Sequence, residues 1–351
     1  MSSRSTAQLP ARPELEYPFE VHASGTTQEV APGVLWVRMP LPFALNHINL
    51  WLVADGARWT MVDCGLATNT TRALWDEILA RDLGGRPVGR VIVTHYHPDH
   101  IGLAGWLSAR LNLVPWMTKG EFLTAHAACH NVGGTGYARV RDFFARHGLD
   151  SGRLEAAGVK DGNYRRGVEP LPDTFRRIRH GDGIGIGDGT WRVIVGYGHA
   201  PEHAALHDER GGVLISGDML LPRISTNVSV WPVEPDGDPL GDFLESIDRF
   251  SSLDAGTLVL PSHGRPFRGV HARVAELKAH HAARLEALAR VCDRERTAAE
   301  LLPVLFRREF TDYQLMFAMG ETIAHLNHLW HRGVVRRAAG ADGAWRFVRA
   351  A

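Results

Sequence analysis

Residues 94–100 read Thr-His-Tyr-His-Pro-Asp-His, and five of the six side chains after Thr94 either ligate cations or force a turn. A fold built around such a run has to carry it on something rigid. The apolar stretch Val91-Ile92-Val93 precedes it and an apolar segment, Ile101 to Leu111, follows. That pattern predicts a buried strand that delivers the run at its C-terminal end, with a helix leading the chain away. His95 and His97, two apart, face the same side of an extended segment. Pro98 then turns the chain, so that Asp99 and His100 aim at a neighbouring point. One loop thus offers two imidazoles to one cation, and a carboxylate with an imidazole to a second.

Other strand ends supply further donors in order along the chain. His199 lies in Gly-His-Ala-Pro-Glu-His (198–203) after the apolar run 191–195, Asp218 in Ser-Gly-Asp after 213–215, and His263 in Pro-Ser-His-Gly after 257–260. Upstream, Asp63 ends the run Met61-Val62-Asp63. Each is an apolar run closed by a polar residue, often beside a glycine that lets backbone pass close to an ion. Taken in sequence order, Asp63; His95, His97, Asp99 and His100; His199; Asp218; and His263 make the chain resemble the metallo-β-lactamase superfamily over roughly residues 30–270.

The resemblance implies an α/β fold, a four-layer αββα sandwich of two mixed sheets packed face to face, with a metal site along one edge. It implies that His95, His97 and His199 hold one ion, that Asp99, His100 and His263 hold another, and that Asp218 bridges them. The donors are neutral imidazoles and carboxylates without thiolate, which suits Zn²⁺, two per chain, with iron or manganese as alternatives. Asp63 and His203 are expected to support the ligands rather than bind: Asp63 by orienting the ligand loop or a histidine N–H. Asp99 and Asp218 are the expected catalytic residues, and Tyr96 is expected to pack, pointing away from its flanking histidines.

At 351 residues, 44% hydrophobic and 22% charged, the chain has ample core material for one large and one smaller domain. Residues 1–27 read as a loose leader and 28–268 as the metallo-β-lactamase-fold domain, with a helical insertion at about 118–182. Long loops at a sheet edge often line binding sites. His126, His130 and His147, inside this stretch, are expected to pack rather than ligate. Residues 269–351 read as three helices, 270–292, 297–306 and 313–330, and a hairpin about Gly340–Gly343. They resemble the small winged-helix domain that closes one subfamily of these hydrolases. Its third helix shows Glu321, Asn327 and His328 as exposed candidates rather than a basic stripe.

Acidic and basic residues tie at 39 each, so no global field draws the protein to nucleic acid or anionic membrane. Three scattered cysteines form no disulfide framework, and the N-terminal residues lack the apolar core of a secretory signal. A cytoplasmic protein with a small-molecule substrate is expected, with homo-oligomerisation left open. The resemblance implies a zinc-dependent hydrolase that turns a metal-bound hydroxide on a small acyl substrate: a thioester, ester or lactone. Alternatives of the same fold are a phosphodiesterase or ribonuclease, and a mononuclear iron enzyme that oxidises sulfur. The flavin-associated di-iron branch is disfavoured, because it has a carboxylate where this chain has His97. Gly-x-Ser-x-Gly is absent, which removes the main serine-hydrolase reading.

Overall fold

Apolar residues fill both faces of most strands in this chain, and that alone requires sheets covered on two sides. The computed structural model describes residues 14–150, 152–153, 162–168, 170–306, 310 and 312–350. Residues 1–13 of the expected leader and part of the expected insertion lie outside them. Seven strands form the first sheet in sequence order: β1 (Thr27–Ala31), β2 (Val34–Pro40), β3 (His47–Asp55), β4 (Arg58–Val62), β5 (Val88–Ile92), β6 (Trp116–Met117) and β7 (Arg176–Arg177). Its pairing is antiparallel up to β4 and parallel from β4 onwards. The second sheet runs β12-β11-β10-β9-β8, from β8 (Gly183–Ile186), β9 (Gly189–Gly196), β10 (His203–Asp208), β11 (Val213–Gly217) and β12 (Leu258–Pro261). Only β11 and β12 pair in parallel.

Alternation along the strands sorts the core into layers. Trp51 and Val53 of β3 meet Val193 and Val195 of β9 between the sheets. Leu50 and Leu52 point the other way, onto α1 (Asn69–Arg81), α2 (Pro98–Ile101), α3 (Ala104–Leu111) and α4 (Lys119–Cys129), through Trp75, Ile101, Leu107 and Ala125. Beyond the second sheet, Ile194, Leu214 and Val259 pack on α7 (Pro239–Asp248) and α8 (Val270–Val291). Two further helices, α5 (Tyr137–Arg146) and α6 (Asn163–Arg166), stand between α4 and β7. The arrangement is the four-layer αββα sandwich.

The C-terminal segments form α9 (Ala298–Leu305), α10 (Asp312–His331) and the hairpin β13 (Val335–Ala339) and β14 (Trp345–Arg349). Thr297 and Glu300 cap α9 reciprocally, as their spacing predicts. Leu301, Met319, Ile323 and Phe347 belong to the same apolar cluster as Leu214, Phe243 and Val259, so this region shares its core with the second sheet.

Two expectations need correcting. Glu321, Asn327 and His328 are not exposed: every residue from 318 to 329 is buried. Partners remote in sequence meet them. Glu321 pairs with Arg284 at 3.0 Å, Asn327 donates to the Pro235 and Gly237 carbonyls, and His328 Nδ1 meets Asp238 at 2.9 Å. The described end of the expected leader is not loose, because Leu15 is buried in the core and Glu16 bridges to Arg268. His203 begins a buried strand, β10.

Several buried histidines lie outside the strand ends. Burial holds His147 down at about 4 and His281 at about 3, against about 6.5 for a free imidazole. Below pH 6.5 the unfolded chain binds protons that these residues refuse in the fold. Stability therefore falls as pH drops from 6.5 towards about 4 for His147 and about 3 for His281. The His147 ring donates from Nδ1 to the Phe143 carbonyl at 2.9 Å, a bond glutamine can make. His147→Gln should flatten the dependence of the urea midpoint on pH between 6.5 and 4; an unchanged slope would remove His147 from this account.

Candidate metal centre

β4, β5, β9, β11 and β12 all end at one edge of the sandwich, and each hands over to a polar residue there. Asp63, just past β4, adopts a left-handed φ of 63°, rare outside glycine. Its backbone N–H donates to the Ile92 carbonyl at 2.8 Å, and its Oδ1 accepts the Thr94 N–H at 2.7 Å. The carboxylate is thereby fastened to the start of the histidine run. Gly217 has a φ of 54°, and a Cβ there would lie 2.3 Å from His203 Nε2. Only glycine fits between these residues.

Two adjacent groups of donors, each with its atoms within 4.8 Å of one another, result: His95, His97, His199 and Asp218; and Asp99, His100 and His263. In the first, His95 Nε2 lies 2.8 Å from His97 Nδ1 and 3.3 Å from His199 Nε2. In the second, His263 Nε2 is 3.4 Å from Asp99 Oδ2 and His100 Nε2 is 3.9 Å from it. Asp218 touches both groups: Oδ2 is 3.4 Å from His199 Nε2, while Oδ1 is 3.6 Å from His100 Nε2 and 3.5 Å from His263 Nε2.

The far side of each ring explains why these nitrogens turn inwards. His100 Nδ1 donates to Asp63 Oδ2 at 2.7 Å, His199 Nδ1 to the Asn227 carbonyl at 2.7 Å, and His263 Nδ1 to the His47 carbonyl at 2.9 Å. The single Thr94 hydroxyl proton goes to Asp63 at 2.8 Å, so His95 Nδ1, 3.0 Å away, is the donor in that contact. In these four rings the outer nitrogen is engaged and Nε2 is the atom turned inwards, the orientation a cation requires. His203 joins neither group; its Nε2 accepts the Asp218 N–H at 3.1 Å.

Burial and mutual repulsion push His95 well below the ordinary histidine value, and burial with His199 nearby holds His97 at about 3. Burial alone would raise Asp99, but His100 and His263 outweigh it and hold the carboxyl at about 2. Asp218 is likewise lowered, with His263 and His100 overcoming its burial. Burial would lower His100 too, yet Asp63, Asp99 and Asp218 raise it well above the usual value. Among the described residues neither His100 Nε2 nor Asp218 Oδ1, both buried, has a hydrogen-bond partner. Buried, unpartnered atoms of this kind, facing one another across 3.6 Å, fit a cation, which would take the place of the proton that the three carboxylates favour on His100.

All seven expected donors meet here, with Asp63 and His203 beside them. His126, His130 and His147 stand in neither group. Tyr96 packs against the apolar layer, as expected, but does not point clear of its neighbours: its ring lies 4.6 Å from that of His97. Sequence reasoning missed four supports. Glu121 of α4 accepts the backbone N–H groups of Tyr96 and Glu202; the carbonyls of Asn227 and His47 fix ring orientation; and Tyr164 of α6 donates to the Tyr96 carbonyl at 2.5 Å. The expected insertion thus touches the motif loop directly. The C-terminal region does so indirectly, through Glu321, 3.4 Å from the Asn227 amide. No periodicity or motif marks these residues.

The model of the metallo-beta-lactamase superfamily matches residues 45–263. The chain belongs to this superfamily. A second model, the metallo-beta-lactamase-like C-terminal domain, matches residues 285–350. The chain is similar to a beta-lactamase domain protein from Burkholderia ambifaria, whose crystal structure shares 49% identity at a TM-score of 0.89, covering 96% of this chain and 98% of that one. It is 28% identical to the probable metallo-hydrolase YqjP of Bacillus subtilis (strain 168), over 84% of this chain and 92% of the relative. The acyl-coenzyme A thioesterase MBLAC2 of Gallus gallus is 25% identical over 67% of this chain and 79% of its own length. The protein is accordingly a metallo-hydrolase of the superfamily.

Asp63→Asn keeps the side chain's volume but gives up the charged acceptor for His100. Loss of such an outer partner should weaken metal retention roughly 10- to 100-fold in competition with a chelator. Retention equal to that of the unaltered protein would reduce Asp63 to a loop anchor.

Proposed function

We propose that this superfamily member hydrolyses small acyl substrates, thioesters, esters or lactones, at a pair of divalent metal ions, with zinc the best match to the donors. One observation carries the two-ion reading: the Asp218 carboxylate turns one oxygen to each donor group. His95, His97 and His199 would hold one ion, Asp99, His100 and His263 the other, with Asp218 shared. Ions held there lower the pKa of water and polarise a carbonyl oxygen. The protein's own groups do the rest. The rings of His95, His100, His199 and His263, fixed by their outer hydrogen bonds, would hold the ions in place without reorganisation. Asp99, held at about 2, is ionised at neutral pH and is the more exposed of the two site carboxylates. Beside its part in holding an ion, it would take the proton of an attacking water and return it to the leaving group.

The choice of an acyl substrate over a phosphodiester rests on the surroundings, since the metal ligands serve either. A nuclease acting on long chains draws affinity from an extended basic surface, and this chain is balanced at 39 against 39. Residues 318–329 of α10, the helix a winged-helix reading would turn towards nucleic acid, are buried. The MBLAC2 relative, named as an acyl-coenzyme A thioesterase, points the same way. The mononuclear iron reading leaves the group Asp99, His100 and His263 without employment. Three free cysteines, two of them buried, suit a reducing compartment such as the cytoplasm; no helix among the described residues is long and apolar enough to cross a membrane.

Protein purified without added metal should carry zinc on elemental analysis and turn over an acyl-coenzyme A thioester or a lactone. Activity should vanish on chelation and depend little on salt. Cleavage of single-stranded RNA that collapses as salt rises, with no acyl hydrolysis across the panel, would overturn the proposal; so would stoichiometric iron that resists replacement by zinc.

A further inference from the structure

Glu121 lies in the first turn of α4, outside every motif of the metal centre, and is fully buried. Its two carboxylate oxygens go to different loops. Oε2 accepts the N–H of Tyr96, the residue between His95 and His97, at 2.9 Å. Oε1 accepts the N–H of Glu202, three residues past His199, at 2.6 Å. The connection is returned from the other side. The Glu202 carboxylate accepts the Gly120 N–H at 2.7 Å, and the Thr118 hydroxyl donates to the Glu202 carbonyl at 2.8 Å. Thr118, at the start of α4, makes no side-chain capping bond within its own helix, so Glu202 supplies the acceptor for that turn. A Cβ at residue 120 would sit 3.0–3.1 Å from the Glu202 side chain, so glycine lets the two segments close.

We infer that Glu121 is a positioning residue for the first donor group: a single carboxylate that sets the spacing between the loop bearing His95 and His97 and the loop bearing His199. The chemistry demands a carboxylate. Two N–H groups face it, and its two oxygens accept one each, partly offsetting the burial that pushes this carboxyl up to about 8; glutamine offers one acceptor and turns an NH₂ at the other donor. His100 and His263 have supports of their own, Asp63 and the His47 carbonyl, neither of which touches Glu121; although Asp99 and His100 share the loop of Tyr96, the second donor group therefore depends on Glu121 less than the first. This inference rests on the reading of the two groups as metal sites, and its test needs no substrate.

The unaltered protein is first loaded with zinc, and loss of each ion to a chelator is followed in time; cobalt replaces zinc for visible spectra. Glu121→Gln should release one ion roughly 10- to 100-fold faster and leave the other near its original rate. The cobalt spectrum should change for one site only, and near-UV circular dichroism should stay that of the folded protein. Glu121→Met, which removes both acceptors, should exceed Glu121→Gln in the same direction. On whichever substrate is turned over, kcat should fall more than KM rises, since the loops carry metal ligands rather than substrate contacts. Folded variants that keep both ions at the original rates overturn the inference. Equal release of both ions, with loss of the near-UV signal even in Glu121→Gln, also overturns it, because a general packing role predicts that result. A protein that holds no metal at all before substitution would instead sink the reading of the donor groups.

Discussion

A carboxylate with almost no access to water is costly unless something of opposite charge meets it, and Asp218 is such a carboxylate with two sets of imidazoles around it. Much else in the sandwich follows from that arrangement. Five strands must end at one edge for the donors to converge, and Gly217 must lack a side chain for His203 to hold the Asp218 backbone. His95, His100, His199 and His263 cannot turn freely either, because each is tied from behind. The edge is therefore a place where the fold accepts poor local energetics, a strained Asp63 and orphaned lone pairs, in return for chemistry.

What could be read from the sequence divides along a physical line. Donors that end an apolar run announce themselves, because the strand fixes their place and the residue type fixes their use. All seven were visible in that way, and the layered fold came with the motif order. Supports that work through backbone groups were not. Glu121 meets two N–H groups from loops 25 and 81 positions away, and Asn227 and His47 contribute carbonyls that every residue possesses. Polar residues within α10 read as solvent-facing for the opposite reason. A mid-helix Glu, Asn or His is ordinarily exposed, and the Arg284 side chain and the 235–238 segment that cover these come from elsewhere in the chain. β10, His-Ala-Ala-Leu-His-Asp, has no β-branched residue and so gave no strand signal.

The expected insertion has a different character from the one its length suggested. Through Tyr164 and Glu121 it holds the motif loop by its backbone, and α4 and the His199 loop exchange hydrogen bonds in both directions. Side chains that select a substrate can vary around such a frame without disturbing the ligands. That separation is one way a common donor set serves many reactions.

The contact between Asn227 and Glu321 carries a thermodynamic consequence. His199 leans on the Asn227 carbonyl, the Asn227 amide meets Glu321, and Glu321 pairs with Arg284, so a line of polar contacts runs from the metal edge into the C-terminal helices. Opening those helices removes the Glu321 contact behind Asn227 and so loosens the support of His199, and a cation held by His199 would oppose that opening. By linkage, ion concentration then becomes a control on the persistence of the C-terminal helices, and amide exchange in α10 a gauge of occupancy some distance away. A region that makes no bond to the ion would thereby report on it.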